Sequence, residues 1–227
     1  MNSNKFVVFD CGGVVGSDMK YSFVKNHVAT HYPEKSAQAE LLLNKQLWSR
    51  IRVDATYTDR QYFEDFVKQL DIPSDQQLIE QFMLHTKQEL YAFKPPLQVA
   101  FDLHHRSIST YILSNHGKDW FNYIYDSEAL FKAAFPDKEK LVVSYQVGYY
   151  KPQQEIFQSC WDIMCKYEST HNNKALQLSD KSKVLFIDDK IDNINAAKTF
   201  GWQAYQFNFN IEPVEKLSIA IEHFLAN

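Results

Sequence analysis

Phe6-Val7-Val8-Phe9-Asp10-Cys11-Gly12-Gly13-Val14-Val15 is the stretch that decides how this chain folds. Four apolar residues, two of them β-branched, run straight into an aspartate. A short run apolar on both faces reads as a buried strand of a parallel sheet. The glycines that follow free the backbone to turn sharply and to approach a ligand closely. Asp10 then stands at the carboxyl end of a central strand, where open α/β sheets bind their ligands. Read alone, the stretch equally fits a strand that ends in a turn with a turn-forming aspartate.

Three later segments break the tie. Thr110-Tyr111-Ile112-Leu113-Ser114-Asn115 is a second apolar run that ends in a hydroxyl. Gly148-Tyr149-Tyr150-Lys151-Pro152 places a lysine before a proline and a helix. Val184-Leu185-Phe186-Ile187-Asp188-Asp189 is a further buried run that ends in paired carboxylates. In this order and spacing the four segments resemble the motifs of the haloacid dehalogenase-like (HAD) hydrolase superfamily, over the chain from Lys5 to about Phe207. In one respect the chain departs from that pattern. Most phosphatases of the superfamily read Asp-x-Asp in the first motif, and this chain reads Asp10-Cys11-Gly12. A branch with Asp-x-Gly includes sugar-phosphate phosphatases acting on glucose 1-phosphate.

The composition suits an α/β protein of this size. The chain has 227 residues, of which 45% are hydrophobic and 15% aromatic, ample material for a core domain with one inserted subdomain. Its 24 basic and 28 acidic residues leave a net charge of -4, which gives no reason to expect nucleic acid or an anionic membrane as partner. Cys11, Cys160 and Cys165 are odd in number and form no Cys-x-x-Cys pair, which argues against a disulfide framework. The apolar run after Met1-Asn2-Ser3-Asn4-Lys5 is too short for a signal segment. No stretch approaches the length of a membrane span. The expectation is a soluble, reduced, cytoplasmic protein.

Periodicity orders the rest of the chain. Between Met19 and Phe93 no stretch reads as a buried strand. Leu41, Leu42, Leu43, Leu47 and Trp48 form one helical stripe, and Tyr62, Phe63, Phe66, Val67 and Leu70 another. Thr58 and Asp75 are natural caps for helices that begin after them. Beyond Pro95-Pro96, helices and strands alternate: a helix from Leu97 to His105, strands at 108–114, 141–143, 184–188 and 202–207, and helices at 119–125, 154–166, 191–200 and around Leu217. The polar run from Tyr167 to Lys183 reads as a surface loop. Alternation of this kind gives a doubly wound parallel sheet. The predicted architecture is a Rossmann-like α/β core over 1–17 and 95–227, with a small α-helical cap over 18–94.

Chain ends that converge on one rim of such a sheet bring Asp10, Ser114, Lys151, Asp188 and Asp189 together. Three carboxylates in one small site repel, and they stay ionised only if a cation joins them. All-oxygen ligands suit Mg²⁺. Backbone N–H groups around Gly12 and Gly13 can bind phosphate oxygens. Such a set suits phosphoryl transfer, with Asp10 attacking phosphorus to form an aspartyl phosphate. The resemblance implies the same roles. Asp10 is nucleophile and metal ligand; Ser114, Asn115 and Lys151 bind the phosphate; Asp188, Asp189 and the Gly12 carbonyl complete the metal site. The implied activity is a Mg²⁺-dependent phosphatase of a small phosphorylated metabolite. Gly12 leaves out the family's second aspartate, the acid/base; Asp18 and a water are the candidate substitutes, and nothing in the sequence selects either. Two rival readings remain: a fold that has lost turnover and serves as a binding protein, and a dehalogenase, which needs no metal. Asn193 is a candidate support for the acidic loop. His116, Tyr21, Trp48, Arg50 and Arg52 are candidates for substrate contact. Cys11 lacks the arginine six positions on that a cysteine phosphatase needs; Ser17 stands there.

Overall fold

The computed structural model describes residues 5–172 and 175–227. Met1–Asn4, and Asn173 and Lys174 of the run expected as a loop, lie outside the described residues. The chain begins with β1 (Phe6–Phe9). Helices follow without an intervening strand: α1 (Ser22–His31), α2 (Ser36–Leu41), α3 (Leu47–Ile51), α4 (Asp59–Leu70), α5 (Gln76–Gln88) and α6 (Lys94–His105). Then come β2 (Ser109–Ser114), α7 (Lys118–Ser127), α8 (Ala129–Ala134), β3 (Leu141–Val143), α9 (Ser144–Val147) and α10 (Gln154–Asn172). β4 (Val184–Asp188), α11 (Ile191–Phe200), β5 (Gln203–Gln206) and α12 (Val214–Ala226) complete the chain.

The strands form one parallel five-stranded sheet in the order β3-β2-β1-β4-β5. Alternate residues of each central strand feed two separate cores. Val7, Phe9, Ile112, Leu185 and Ile187 face one, with α6, α7 and α12. Phe6, Val8, Tyr111, Leu113, Val184 and Phe186 face the other, with α10 and α11. Both faces are covered, which is why these strands read as unbroken apolar runs. The chain winds from β1 outward to β3, then crosses to β4 on the opposite side of β1. That reversal makes the carboxyl ends of β1 and β4 the switch point at which such sheets hold ligands.

Local signals fix several helices. Thr58 Oγ1 accepts from the Gln61 N–H at 3.2 Å, while Gln61 Oε1 accepts from the Thr58 N–H at 3.0 Å, closing a capping box on α4. Asp75 Oδ1 accepts from the Leu78 N–H at 2.8 Å at the start of α5. Gly201, at φ +99°, ends α11 in the left-handed region. Two expectations give way. Leu41 is 43% exposed, because it cannot share one helical face with its neighbours Leu42 and Leu43, which are buried. The expected loop after Lys166 is helical as far as Asn172. One of its polar residues turns inward: buried Glu168 accepts from Ser109 Oγ at 2.9 Å and from the Tyr111 hydroxyl at 3.0 Å, while 169–172 stay exposed. A solvated helix end with one buried carboxyl looks like a loop by composition.

The segment holding α1 to α5 leaves and rejoins the sheet side by side. The Ser17 N–H donates to the Tyr91 carbonyl at 2.8 Å and the Phe93 N–H to the Val15 carbonyl at 2.8 Å. Ser17 Oγ donates to the Glu89 carbonyl at 2.9 Å and accepts from the Tyr91 N–H at 3.0 Å. The segment lies against α7 through Trp120, which is fully buried among Tyr21, Trp48, Tyr62 and Phe63. Among the described residues, no helix is long and apolar enough to cross a membrane.

Candidate active site

Asp10 follows the last residue of β1, and Asp188 is the last of β4. The register pairs Phe9 with Ile187, and the Asp10 N–H donates to the Ile187 carbonyl at 2.8 Å, so the two carboxylates leave neighbouring strands at one level. Lys151 joins them. Its Nζ lies 2.8 Å from Asp10 Oδ1 and 2.6 Å from Asp188 Oδ2, and all three side chains are buried. Asn115 sets the lysine in place. Its Oδ1 accepts from the Lys151 N–H at 2.8 Å and its Nδ2 donates to the Lys151 carbonyl at 2.9 Å. Asn115 was expected on the phosphate; the structure commits its amide to the lysine's main chain.

Both oxygens of Asp188 accept hydrogen bonds. Besides Lys151, it accepts from the Lys190 N–H at 2.8 Å and from Asn193 Nδ2 at 2.9 and 3.0 Å. Asn193 thus supports the acidic loop. Asp189 is different: it lines the cavity, and its buried Oδ1 has no hydrogen-bond partner among the described residues. Ligand oxygens of Asp10, Asp188 and Asp189 lie within 4.8 Å of one another. Ser114 Oγ, at the end of β2, is likewise buried and without a hydrogen-bond partner among the described residues.

The turn after Asp10 closes on itself. Gly13 has φ +73°, and a Cβ there would come within 2.8 Å of the Asp189 carboxyl carbon, so glycine is required by conformation and by space. Its N–H donates to the Gly16 carbonyl at 2.8 Å. That corrects the expectation for Gly13: its N–H is spent within the turn and is no donor to a phosphate. The Gly12 N–H donates to no acceptor among the described residues. Gly12 lies outside the left-handed region.

Electrostatics follow from burial. Burial raises the Asp10 carboxyl to about 8, Asp188 and Asp189 adding to the rise and Lys151 and Lys190 opposing it. Burial also raises Asp189, to about 6, against the pull of Lys190. Burial pushes Asp188 the same way, but Lys151, the Lys190 N–H and Asn193 outweigh it and hold Asp188 below its ordinary value. Lys151 stays above the usual lysine range because Asp10 and Asp188 overcome its burial. The ammonium is therefore the firm charge, and the surplus of carboxylates falls on Asp10 and Asp189.

Part of this set opens on one cavity of about 730 Å³; Ser114, Gly13 and Asp188 are not among its lining residues. Asp10, Gly12, Asn115, Lys151 and Asp189 line it, as do Tyr21, Trp48 and Arg52 from the helical segment. His116 lines it too, and burial, with Lys190 and Lys151, lowers its imidazole to about 4. Arg50 is turned elsewhere and pairs with Asp65 at 3.2 Å. Sequence reasoning missed Lys190, whose ammonium is held above its ordinary value by Asp10, Asp189 and Asp18 against its burial. The adjoining Asp188-Asp189 pair was the signal for it, since a lone lysine beside two carboxylates is poised to neutralise them.

No family model and no curated protein matches the chain. Solved structures do. A HAD family enzyme from Bacteroides thetaiotaomicron is 18% identical with a TM-score of 0.62, over 89% of this chain and 92% of that one. The same enzyme has been solved in complex with magnesium and inorganic phosphate. A predicted HAD-like family hydrolase from Porphyromonas gingivalis is 17% identical with a TM-score of 0.64, over 96% and 97% of the two chains. An L-2-haloacid dehalogenase from Xanthobacter autotrophicus, with chloropropionic acid covalently bound, is 18% identical with a TM-score of 0.54, over 89% and 76%. Likeness at this identity speaks for architecture, and the chain has the α/β fold of the haloacid dehalogenase-like enzymes.

Proposed function

We propose that the chain is a Mg²⁺-dependent phosphatase that hydrolyses a small phosphate monoester through an aspartyl phosphate on Asp10, with residues 18–94 as its cap. The observation that carries this reading is the acidic trio at the switch point, with one buried oxygen, Asp189 Oδ1, left unpartnered. An all-oxygen donor set with surplus negative charge fits a hard divalent cation. Asp10, Asp188 and Asp189 would hold Mg²⁺, which when bound neutralises the carboxylates and the phosphoryl oxygens.

The chain's own residues supply the rest. Asp10 Oδ1 is engaged by Lys151 Nζ at 2.8 Å and by the Cys11 N–H at 2.6 Å, which orients the carboxylate and leaves Oδ2 to attack phosphorus. Lys151, held from both sides by Asn115 and Asp188, keeps a fixed positive charge beside the reacting group. The partnerless Ser114 hydroxyl is a donor for a phosphate oxygen. Tyr21, Trp48 and Arg52 wall the cavity on the helical side and exclude water.

Halide displacement uses the same nucleophile but needs no cation, so the trio weighs against a dehalogenase. The experiment is a panel of phosphorylated metabolites and of 2-haloacids, assayed with and without Mg²⁺ on wild type and Asp10→Asn. Turnover of phosphate esters that requires both Mg²⁺ and Asp10 is expected. Turnover of haloacids alone would overturn the reading, as would Mg²⁺ binding with no turnover of any ester.

A further inference from the structure

Gly12 carries no side chain where the resemblance calls for an acid/base, yet the space is filled. A Cβ built on Gly12 would stand 2.7 Å from Asp18 Oδ1 and 3.7 Å from Asp18 Cγ. A carboxylate from six residues along the chain therefore occupies the place that a side chain at position 12 would enter. Asp18 lines the same cavity as Asp10 and Lys151. It makes no hydrogen bond and no close ion pair among the described residues; its charge acts at longer range, helping to hold the Lys190 ammonium above its ordinary value.

The backbone on both sides of Asp18 is tied down. Before it, buried Ser17 is fixed through its N–H to the Tyr91 carbonyl and through its hydroxyl to the Glu89 carbonyl. After it, the Glu89 carboxylate accepts from the Lys20 N–H at 3.3 Å and the Ser22 N–H at 2.7 Å. A carboxylate with no hydrogen bond among the described residues, held at a set place beside the nucleophile's turn, is preorganised for a transfer.

We propose that Asp18 is the acid/base of this site, delivered from the strap that leads to the helical segment and standing in for the missing side chain at Gly12. The assignment rests on the phosphatase reading above. In the first half-reaction an Asp10 oxygen bonds to phosphorus, the P–O bond to the leaving group breaks, and the departing oxygen takes the Asp18 proton. An alcohol, the aspartyl phosphate and the Asp18 carboxylate result. In the second, Asp18 takes a proton from water as its oxygen bonds to phosphorus. The P–O bond to Asp10 breaks, releasing inorganic phosphate and restoring both aspartates.

The test compares an alkyl phosphate with 4-nitrophenyl phosphate in wild type, Asp18→Asn and the double variant Gly12→Asp/Asp18→Gly. Because Gly12 is not in the left-handed region and Asp18 is its only close neighbour, the double variant moves the carboxylate without a clash. A positioned general acid contributes about 10²–10⁴-fold. Asp18→Asn should lose about that much on the alkyl ester and far less in the first half-reaction of the aryl ester, where nitrophenol leaves unaided. The aryl ester should then give a burst of nitrophenol and a protein carrying one phosphoryl group by intact mass, because water is no longer activated. The double variant should recover the alkyl reaction in part and lose the burst. Asp10-dependent turnover in which Asp18→Asn slows both esters equally, or neither, and no phosphoprotein accumulates overturns the Asp18 role alone. Absence of any Asp10-dependent turnover in the folded wild type overturns the phosphatase reading and this assignment with it.

Discussion

On the floor of the cavity the side chains hold one another through charge: Lys151 grips Asp10 and Asp188, Asn193 and the Lys190 N–H complete Asp188, and Asn115 clamps the lysine's backbone. The wall contributed by the helical segment is held by packing instead. Trp48 stacks on Trp120 at 6.1 Å between ring centres, and the Arg52 guanidinium lies 3.5 Å over the Tyr150 ring. A buried ionic network tolerates no single deletion, since each removal strands a charge. An aromatic wall yields by degrees. Substitutions in the floor should therefore cost stability or all activity, whatever the substrate, and those in the wall should sort substrates.

The largest effect expected is that of Lys151→Met. It leaves Asp10 and Asp188 facing each other while buried, and removing one partner of such a pair costs about 3–5 kcal/mol. The urea midpoint would measure it, and an unchanged midpoint would break the contrast at once. Next comes the metal. Mg²⁺ at a hundred times its Kd should stabilise the fold by about 2.7 kcal/mol, read as a rise in Tm. Asp189→Asn should abolish that rise and Trp48→Leu should not; a rise insensitive to Asp189 places the ion elsewhere.

His116 gives a third effect, on the boundary between the two regions. Its folded value, about 4, lies below the ordinary histidine range, because burial and the two lysines penalise the charged form. The unfolded chain takes up that proton near pH 6.5 while the folded one stays neutral. Stability from this residue is thus intact above pH 6.5, declines as pH falls towards 4, and declines no further below that. At pH 5 the loss is about 2 kcal/mol, and the difference in unfolding free energy between wild type and His116→Gln should follow the same curve. The smallest effect belongs to Arg52→Gln. Loss of a wall contact should raise KM about tenfold or less with kcat kept, and unequally across substrates. A uniform fall in kcat would move Arg52 from the wall to the chemistry.

What could be read in the sequence follows the same divide. Strands buried on both faces, such as Val184–Phe186, announce themselves, and so do the carboxylates and the lysine at their ends, because few other residues stop an apolar run. Roles fixed by backbone hydrogen bonds do not. Nothing in Asn115 says that it will spend its amide on Lys151, or in Gly13 that its N–H will close on Gly16. α8, six residues long, and α9, four residues long, are too short to show a period. The end of α10 was hidden because Glu168 buries its carboxyl under hydrogen bonds from Ser109 and Tyr111. Asp18 could be named from sequence only as one substitute beside water; the turn closed at Gly16 is what brings it over Gly12.

The clasp between Val15–Ser17 and Tyr91–Phe93 has a consequence for how such a protein can be rebuilt. Departing and returning backbones are already hydrogen-bonded neighbours, so the helical segment joins the sheet at one backbone seam and otherwise rests on Trp120 of α7. Lengthening a loop whose ends are pinned together raises the closure entropy only logarithmically, about 0.6 kcal/mol per doubling. A stretch of quite different length, grafted across that seam, should leave the strand order and the acidic floor as they were if it also covers Trp120. New specificity can thus enter the molecule as a cassette, provided the graft keeps its own equivalent of the strap that carries Asp18.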